Sequence, residues 1–168
     1  MIRFVVGGER SGKSALAQRA FLADPGPHLV LATGRAQDPG FRAQILAHRQ
    51  ARPADLRVME SGADLPEALA RGLAGHRAVL VDSLDFWLYA CLGGVEERTE
   101  ALLAALDNVG EAAVTLVSCE VGLGPVAASV ATRAFVRSLG GLNQALAARA
   151  DQMFLAVAGR ALPLPPNP

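Results

Sequence analysis

The sequence lacks most of the features that mark a disulfide-rich or membrane-embedded protein. Its 168 residues include only two cysteines, Cys91 and Cys119, which are far apart and suit neither a disulfide framework nor a zinc site. No apolar run approaches the roughly 18 residues of a membrane-spanning helix. The first residues also lack the basic and apolar regions of a signal peptide. We therefore expect a cytoplasmic protein with no membrane partner.

An excess of charge of one sign is also missing. The chain has 16 basic and 16 acidic residues, and its arginines are spread along the sequence instead of forming a basic run. Nucleic-acid binding depends on such a basic surface, so we expect no nucleic-acid partner. Aromatic residues are few, whereas alanine, leucine and valine are abundant. This composition is typical of an α/β protein whose sheet is covered by helices on both faces.

Short apolar runs alternate with longer helical patterns, which is typical of βαβ units. We expect a single domain over residues 1–160, followed by an extended or disordered, proline-rich tail over residues 161–168. The predicted strands are Ile2–Val6, His28–Ala32, Leu56–Met59, Ala78–Val81, Val114–Ser118 and Met153–Ala158. The predicted helices are Lys13–Ala23, Gly40–Arg52, Leu65–Leu73, Leu84–Cys91, Glu97–Leu106 and Val126–Arg149.

A phosphate-binding loop follows the first predicted strand. The segment matches G-x-x-x-x-G-K-[ST] at every fixed position and lies between a strand and a helix, as this motif requires. Lys13 would reach the β- and γ-phosphates of a nucleoside triphosphate, and the Ser14 hydroxyl would bind Mg²⁺. The sequence thus predicts a three-layer P-loop NTPase (RecA-like) fold with a mostly parallel central sheet; the alternative is a chance glycine-rich turn. The predicted loop residues are Gly7, Gly8, Glu9, Arg10, Ser11, Gly12, Lys13 and Ser14.

A carboxylate ends the apolar run that begins at Ala78. In phosphate-loop enzymes an aspartate at this position, here Asp82, supports Mg²⁺, usually through water. The alternative is a helix N-cap, because Asp82 and Ser83 are both good capping residues. Ligands of open α/β sheets gather at the carboxyl ends of the strands, which favours the metal role.

Three further segments carry a resemblance to a known family. They read Gln44-Ile-Leu-Ala-His48-Arg-Gln-Ala-Arg52-Pro53, Glu120-Val-Gly-Leu-Gly124 and Leu139-Gly-Gly-Leu-Asn143-Gln144. Together with the phosphate loop, the chain from about residue 2 to residue 160 resembles the bifunctional adenosylcobinamide kinase/adenosylcobinamide-phosphate guanylyltransferases of cobalamin biosynthesis. The resemblance implies phosphorylation of adenosylcobinamide by ATP or GTP, then transfer of GMP from GTP through a histidine to the cobinamide phosphate. It also implies a homo-oligomer, typically a trimer.

The resemblance implies that His48 is the covalent nucleophile. Neutral imidazole suits this chemistry near pH 7, with Lys13 and Mg²⁺ neutralising the phosphates. The alternative is a solvated histidine on a cationic helical face with Arg42. A carboxylate such as Glu60 would select guanine by accepting hydrogen bonds from N1–H and the N2 amino group, and its alternative is an exposed strand-end glutamate. The nucleotide contacts implied by the resemblance are Arg49, Gln50, Ala51, Arg52, Glu60 and Asp82.

The second βα turn, at Ala32, Thr33 and Gly34, is predicted to line the same pocket with its backbone, although an ordinary turn explains it equally well. His28 and His76 lie at predicted strand starts, and we assign them no role in the site. Two alternatives to the bifunctional enzyme remain open at this point. One is another small-molecule kinase with an inert His48, and the other is a non-catalytic GTP-binding protein.

The sequence departs from the family pattern mainly after the fifth predicted strand. Cys119 stands where the family usually has asparagine, and Pro125-Val-Ala-Ala replaces its Val-Pro-Glu segment. Arg133-Ala-Phe-Val-Arg137 lacks one arginine and one aspartate of the family pattern, and the acidic pair before the histidine helix is reduced to Asp38. We associate the region after the fifth strand with the corrinoid substrate or with subunit packing.

Overall fold

A computed structural model describes residues 1–34, 56–91, 93–124 and 128–166. Seven strands form one sheet in the order β3-β2-β4-β5-β1-β6-β7, and every neighbouring pair is parallel except β6 and β7. The strands are β1 Ile2–Gly7, β2 His28–Ala32, β3 Arg57–Glu60, β4 Ala78–Asp82, β5 Ala113–Cys119, β6 Gln152–Val157 and β7 Arg160–Leu164. The helices are α1 Lys13–Ala23, α2 Leu65–Leu73, α3 Leu84–Ala90, α4 Val95–Asp107 and α5 Val130–Ala147.

Apolar side chains fill both faces of the sheet. On one face α1 contributes the fully buried Ala17 and Phe21, which pack with Val5, Val117 and Ala156 of the strands. The larger core on the other face is formed with α2, α3, α4 and α5. The central strands are therefore buried on both sides, which explains why they read as continuous apolar runs. The predicted α/β fold with a mostly parallel sheet and three layers is confirmed.

The C-terminal residues join the sheet, contrary to the predicted domain end at residue 160. The strand β7 pairs antiparallel with β6, with Pro163 opposite Phe154. Proline is tolerated there because β7 is an edge strand, where one side of the strand needs no ladder donor. The two strands are joined by Ala158 and Gly159, whose φ angles of 49° and 77° are typical of a type I′ hairpin turn. The sheet thus extends to Leu164.

Apart from the start of the last helix, the predicted bounds of the described elements agree with the structure to within two residues. The helix α5 begins at Val130 and not at Val126, because the Ser129 hydroxyl accepts a hydrogen bond from the Thr132 N–H at 3.0 Å and caps the helix. The predicted helix Gly40–Arg52 lies outside the described residues. Among the described segments, no helix is both long and apolar enough to cross a membrane.

Candidate functional site

The predicted phosphate loop connects β1 to α1 at the carboxyl edge of the sheet. The Ser11 N–H donates to the Gly8 carbonyl at 3.2 Å, and the Lys13 ammonium donates to the same carbonyl at 3.3 Å. Gly12 has a φ of 90° and begins the helix, a conformation that favours glycine. Lys13 and the N-terminus of an 11-residue helix therefore meet at one point. This end of the molecule attracts anions, phosphates in particular.

The helix α1 also brings the two predicted metal ligands together. Although β5 separates β1 from β4, α1 packs over both β5 and β4, so its first turn reaches the end of β4. There the Ser14 hydroxyl donates to the Asp82 carboxylate at 3.1 Å. One hydroxyl and one carboxylate are hard oxygen ligands of the kind that Mg²⁺ takes in nucleotide sites, where it keeps several waters. The donor set fits Mg²⁺.

The turn after β2 is tied to the turn after β4. Thr33 is buried, and its hydroxyl donates to the Ser83 carbonyl and accepts from the Ser83 N–H at 3.0 Å. The Ala32 carbonyl accepts from the Ser61 N–H at 3.0 Å. These groups hold the strand ends in register. The Thr33 side chain is thus engaged with protein, and a nucleotide contact at Ala32, Thr33 or Gly34 would use backbone groups.

A third carboxyl group, which the sequence analysis missed, lies at this site. Asp85 is in the first turn of α3, and its Oδ1 atom is buried with no hydrogen-bond partner among the described residues. Burial raises the pKa of Asp85; a hydrogen bond from Ser83 and the charge of Lys13 oppose the rise, and Asp82 adds to it. The signal available in the sequence was its spacing, three residues beyond a strand-end carboxylate at a helix start.

The end of β5 lies beside the loop. The Glu120 N–H donates to the Gly7 carbonyl at 3.1 Å. Burial raises the pKa of the Cys119 thiol against the opposing charge of Lys13, so the thiol is neutral at pH 7 and behaves as a small apolar side chain. Beneath it, Asn143 of α5 donates to the Cys119 carbonyl at 3.1 Å and accepts from the Ser118 hydroxyl at 2.7 Å.

Glu60 stands apart from the phosphate loop. It ends β3, the exposed edge strand, and three strands separate β3 from β1. At about 4.8 Å per strand, the two lie roughly 19 Å apart along the carboxyl edge of the sheet. The assignment of Glu60 to the base therefore stays a prediction. Five other residues of the predicted nucleotide site lie outside the described residues: His48, Arg49, Gln50, Ala51 and Arg52.

Of the other two histidines, His28 is the first residue of β2 and His76 precedes β4, so both lie at the opposite edge of the sheet. His28 bonds to the Asp24 carbonyl at 2.9 Å and packs edge-on against Phe21, with 4.9 Å between the ring centres. His76 bonds to the Gly72 carbonyl at 2.9 Å. Both rings therefore make local structural contacts.

Comparison with known proteins places this geometry in a family. The model of the cobinamide kinase / cobinamide phosphate guanyltransferase family matches residues 3–164. The bifunctional adenosylcobalamin biosynthesis protein CobP of Pseudomonas aeruginosa is 35% identical over 98% of this chain and 97% of its own length. The corresponding CobU proteins of Salmonella typhimurium and Escherichia coli are each 32% identical over 95% of this chain and 97% of their own lengths.

The fold itself recurs in a more distant protein. An ATPase from the type III secretion system of pathogenic bacteria superimposes with a TM-score of 0.51 at 14% identity. The match covers 96% of this chain, which spans 56% of that ATPase. This similarity supports the RecA-like arrangement of the sheet alone. The family match over nearly the whole length, with the loop and the Ser14–Asp82 pair in place, shows that the chain belongs to the cobinamide kinase / cobinamide phosphate guanyltransferase family.

Proposed function

We propose that the chain phosphorylates the aminopropanol hydroxyl of adenosylcobinamide and then transfers GMP from GTP to the resulting phosphate, giving adenosyl-GDP-cobinamide. The observation that carries the proposal is the hydrogen bond between Ser14 and Asp82 beside Lys13, in a chain of this family. That geometry unites a phosphate-binding cation with the oxygens that suit the accompanying metal. The acceptor is assigned from the family.

In the kinase reaction, the substrate hydroxyl oxygen attacks the γ-phosphorus, the bond between that phosphorus and the β,γ-bridging oxygen breaks, and the nucleoside diphosphate leaves. The hydroxyl proton passes to solvent. Lys13 moves from the Gly8 carbonyl to the phosphates, where its charge stabilises the transferring group. The N–H groups of Gly7, Gly8, Glu9, Arg10 and Gly12 orient the triphosphate, and the Ser11 N–H joins them by exchanging its bond to the Gly8 carbonyl for one to a phosphate oxygen.

Ser14 and Asp82 would hold Mg²⁺, which supplies charge neutralisation on the β- and γ-phosphates when bound. Their 3.1 Å separation places the two oxygens close enough to be neighbouring ligands of one cation. Asp85 adds negative charge nearby, with a buried oxygen that lacks a partner among the described residues. The chain therefore offers this cation two oxygen ligands, and waters and phosphate oxygens would fill its remaining positions.

In the guanylyltransferase reaction, a nitrogen of His48 attacks the α-phosphorus of GTP, and pyrophosphate leaves. A phosphate oxygen of adenosylcobinamide phosphate then attacks the same phosphorus, the nitrogen–phosphorus bond breaks, and His48 is regenerated. Imidazole can perform both steps because it is a good nucleophile and, once phosphorylated, a good leaving group. Arg49, Gln50, Ala51, Arg52 and Glu60 are proposed to hold the nucleoside, together with the backbone at Ala32, Thr33 and Gly34.

We further propose that the enzyme acts in the cytoplasm as a homo-oligomer, the trimer that the resemblance implies. Light scattering coupled to size-exclusion chromatography measures the mass directly. A mass of one 17.5 kDa chain at working concentration would contradict this part of the proposal.

The covalent step is tested by incubating the protein with α-³²P-labelled GTP and Mg²⁺. The wild type should acquire a label that is stable to alkali and lost in acid, as expected of a phosphorus–nitrogen bond. The chain has three histidines, so the label can be assigned by substitution. His48→Ala should abolish labelling, whereas His76→Gln, at a histidine bonded to a local carbonyl, should retain it.

The same experiment separates the alternatives. An unlabelled wild-type protein that still converts adenosylcobinamide to its phosphate would be a kinase with an inert His48. A protein that binds GTP but gives neither a label nor a product with adenosylcobinamide would be a non-catalytic GTP-binding protein. A label that survives His48→Ala would place the nucleophile elsewhere.

A further inference from the structure

The turn between β6 and β7 is in direct contact with the phosphate loop. The N–H of Gly159, the second residue of the turn, donates to the carbonyl of Ser11 at 2.8 Å. A Cβ added to Gly12 would lie 3.0 Å from the Gly159 Cα. The two backbones therefore touch at van der Waals distance, and the loop cannot shift toward the hairpin.

The first glycine of the loop also packs on this hairpin. A Cβ added to Gly7 would lie 2.7 Å from the carbonyl oxygen of Ala156 on β6, closer than a real Cβ comes to such an atom. Gly7 and Gly12, two fixed glycines of the motif, thus both have their Cα hydrogens against the hairpin. The hairpin supports the loop at its two ends.

The contact at Ser11 determines where a loop N–H points. The Ser11 carbonyl and the Gly12 N–H belong to one planar trans peptide and so point in opposite directions. Because the Ser11 oxygen is held toward Gly159, the Gly12 N–H is turned away from the hairpin. That N–H is one of the predicted phosphate donors.

We propose that the β6–β7 turn is a positioning element of the nucleotide site, with Gly159 as the positioning residue that orients the Gly12 N–H toward the phosphates. The proposal rests on the proposed function in one respect, that the loop binds a triphosphate. It also gives a role to the C-terminal segment, since β7 follows Gly159 directly and its pairing with β6 fixes the turn.

The turn must adopt positive φ angles for this contact to form. Gly159 has a φ of 77°, where side chains with a Cβ are strained, while a Cβ at this position would meet nothing within 4 Å. A substitution at Gly159 therefore acts through the backbone angle alone. Gly110, in the turn before β5 at the opposite edge of the sheet, has a φ of 60° and equally open surroundings. It is a matched control for backbone strain.

The test compares Gly159→Val with Gly110→Val. Affinity for GTP and for inorganic tripolyphosphate is measured by calorimetry, and stability by urea unfolding followed through the only tryptophan, Trp87. Both variants should lose similar stability, because both strain a turn. Only Gly159→Val should bind GTP and tripolyphosphate more weakly, each by about tenfold, which corresponds to about 1.4 kcal/mol. Gly159→Asn, which tolerates positive φ and keeps the N–H, should restore affinity to within about threefold of the wild type.

Equal affinities in the two valine variants would overturn the positioning role. So would a loss in Gly159→Val that asparagine fails to restore. If a valine variant does not fold, the alanine pair Gly159→Ala and Gly110→Ala repeats the comparison with less strain. A wild type that binds neither GTP nor tripolyphosphate would refute the proposed function of the loop instead, so the two failures are distinguishable.

Discussion

Replacing Asn143 by leucine is expected to lower the free energy of unfolding by about 2–4 kcal/mol, because one buried and one partly buried hydrogen bond are lost at once. Asn143 is 6% exposed, and its amide joins the Ser118 hydroxyl at 2.7 Å to the Cys119 carbonyl at 3.1 Å. Leucine has a similar size, so little of the loss would come from a cavity. Most of it would come from the Ser118 hydroxyl, which is fully buried and would keep no acceptor from α5.

The second substitution, Ser118→Ala, removes the hydroxyl that Asn143→Leu leaves without an acceptor. Ser118→Ala alone should cost about 1–2 kcal/mol, since the Asn143 oxygen then loses its donor. In the Asn143→Leu background the same change should instead restore about 1–2 kcal/mol, because an unpaired buried hydroxyl is replaced by a methyl group. The double variant should therefore be more stable than Asn143→Leu, although it has one fewer polar group. The coupling energy should clearly exceed the roughly 0.5 kcal/mol error of additivity.

Urea unfolding of the wild type, the two single variants and the double variant measures this cycle. Trp87 is fully buried in α3 and reports unfolding through its fluorescence. Additive losses would refute the reasoning, since they would mean that Ser118 and Asn143 contribute independently. If the cycle is confirmed, the Leu139–Gln144 segment of the family resemblance has a structural explanation. Its asparagine anchors the end of β5 beside the phosphate loop.

Three further predictions concern charged and polar groups at or near the site. The raised pKa of Asp85 means that its charged form is disfavoured in the folded protein, so the contribution of Asp85 to stability should fall as pH rises above the ordinary value of 3.8. Asp85→Asn should therefore be more stable than the wild type at pH 7, with a gap that narrows toward pH 4.5; urea midpoints at both pH values check this, and a constant gap would contradict it. Arg3→Met should cost about 3–5 kcal/mol, since it leaves the Asp24 carboxylate, 12% exposed and paired at 2.9 Å, without its cation. Thermal melts measure that loss of stability. A loss below about 1 kcal/mol would show that the Arg3–Asp24 pair is effectively solvated. Ser14→Ala should bind GTP in EDTA with the same affinity as the wild type, but its affinity should increase less when Mg²⁺ is added. Calorimetry measures both affinities, and an equal increase in the two proteins would show that Ser14 is not a metal ligand.

Local patterns in the sequence were sufficient for most of the fold. The predicted strand His28–Ala32 and the helices Lys13–Ala23 and Leu65–Leu73 agree with the structure at both ends. Apolar runs of strand length and helical periodicity are local signals, so a single sequence shows them. The edge strand Arg160–Leu164 was missed because its apolar residues follow neither the two-residue period of a strand nor the 3.6-residue period of a helix. It exists because it pairs with β6, which a proline-rich tail does not reveal.

The sequence by itself determined which chemical groups are available for a nucleotide site. The sequence contains the phosphate-loop motif, with its lysine and serine, and Asp82 at the end of a predicted strand. The order of these residues along the chain indicates nucleotide binding and the family. His48 belongs to the same set, and its role rests on the resemblance.

The tertiary structure alone decided which of these groups meet. Ser14 reaches Asp82 only because α1 crosses β5 to pack on β4, and Asp85 becomes a perturbed acid only when α3 buries it beside Lys13. Gly159 lies 148 residues after Ser11 in the chain, yet its N–H orients the loop. Contacts between distant segments depend on the packing of helices over the sheet, and burial and hydrogen bonding exist only once that packing is made. The loop residues and Asp82 can therefore be read from the sequence, whereas Asp85, Gly159 and all the distances and pKa shifts come from the fold.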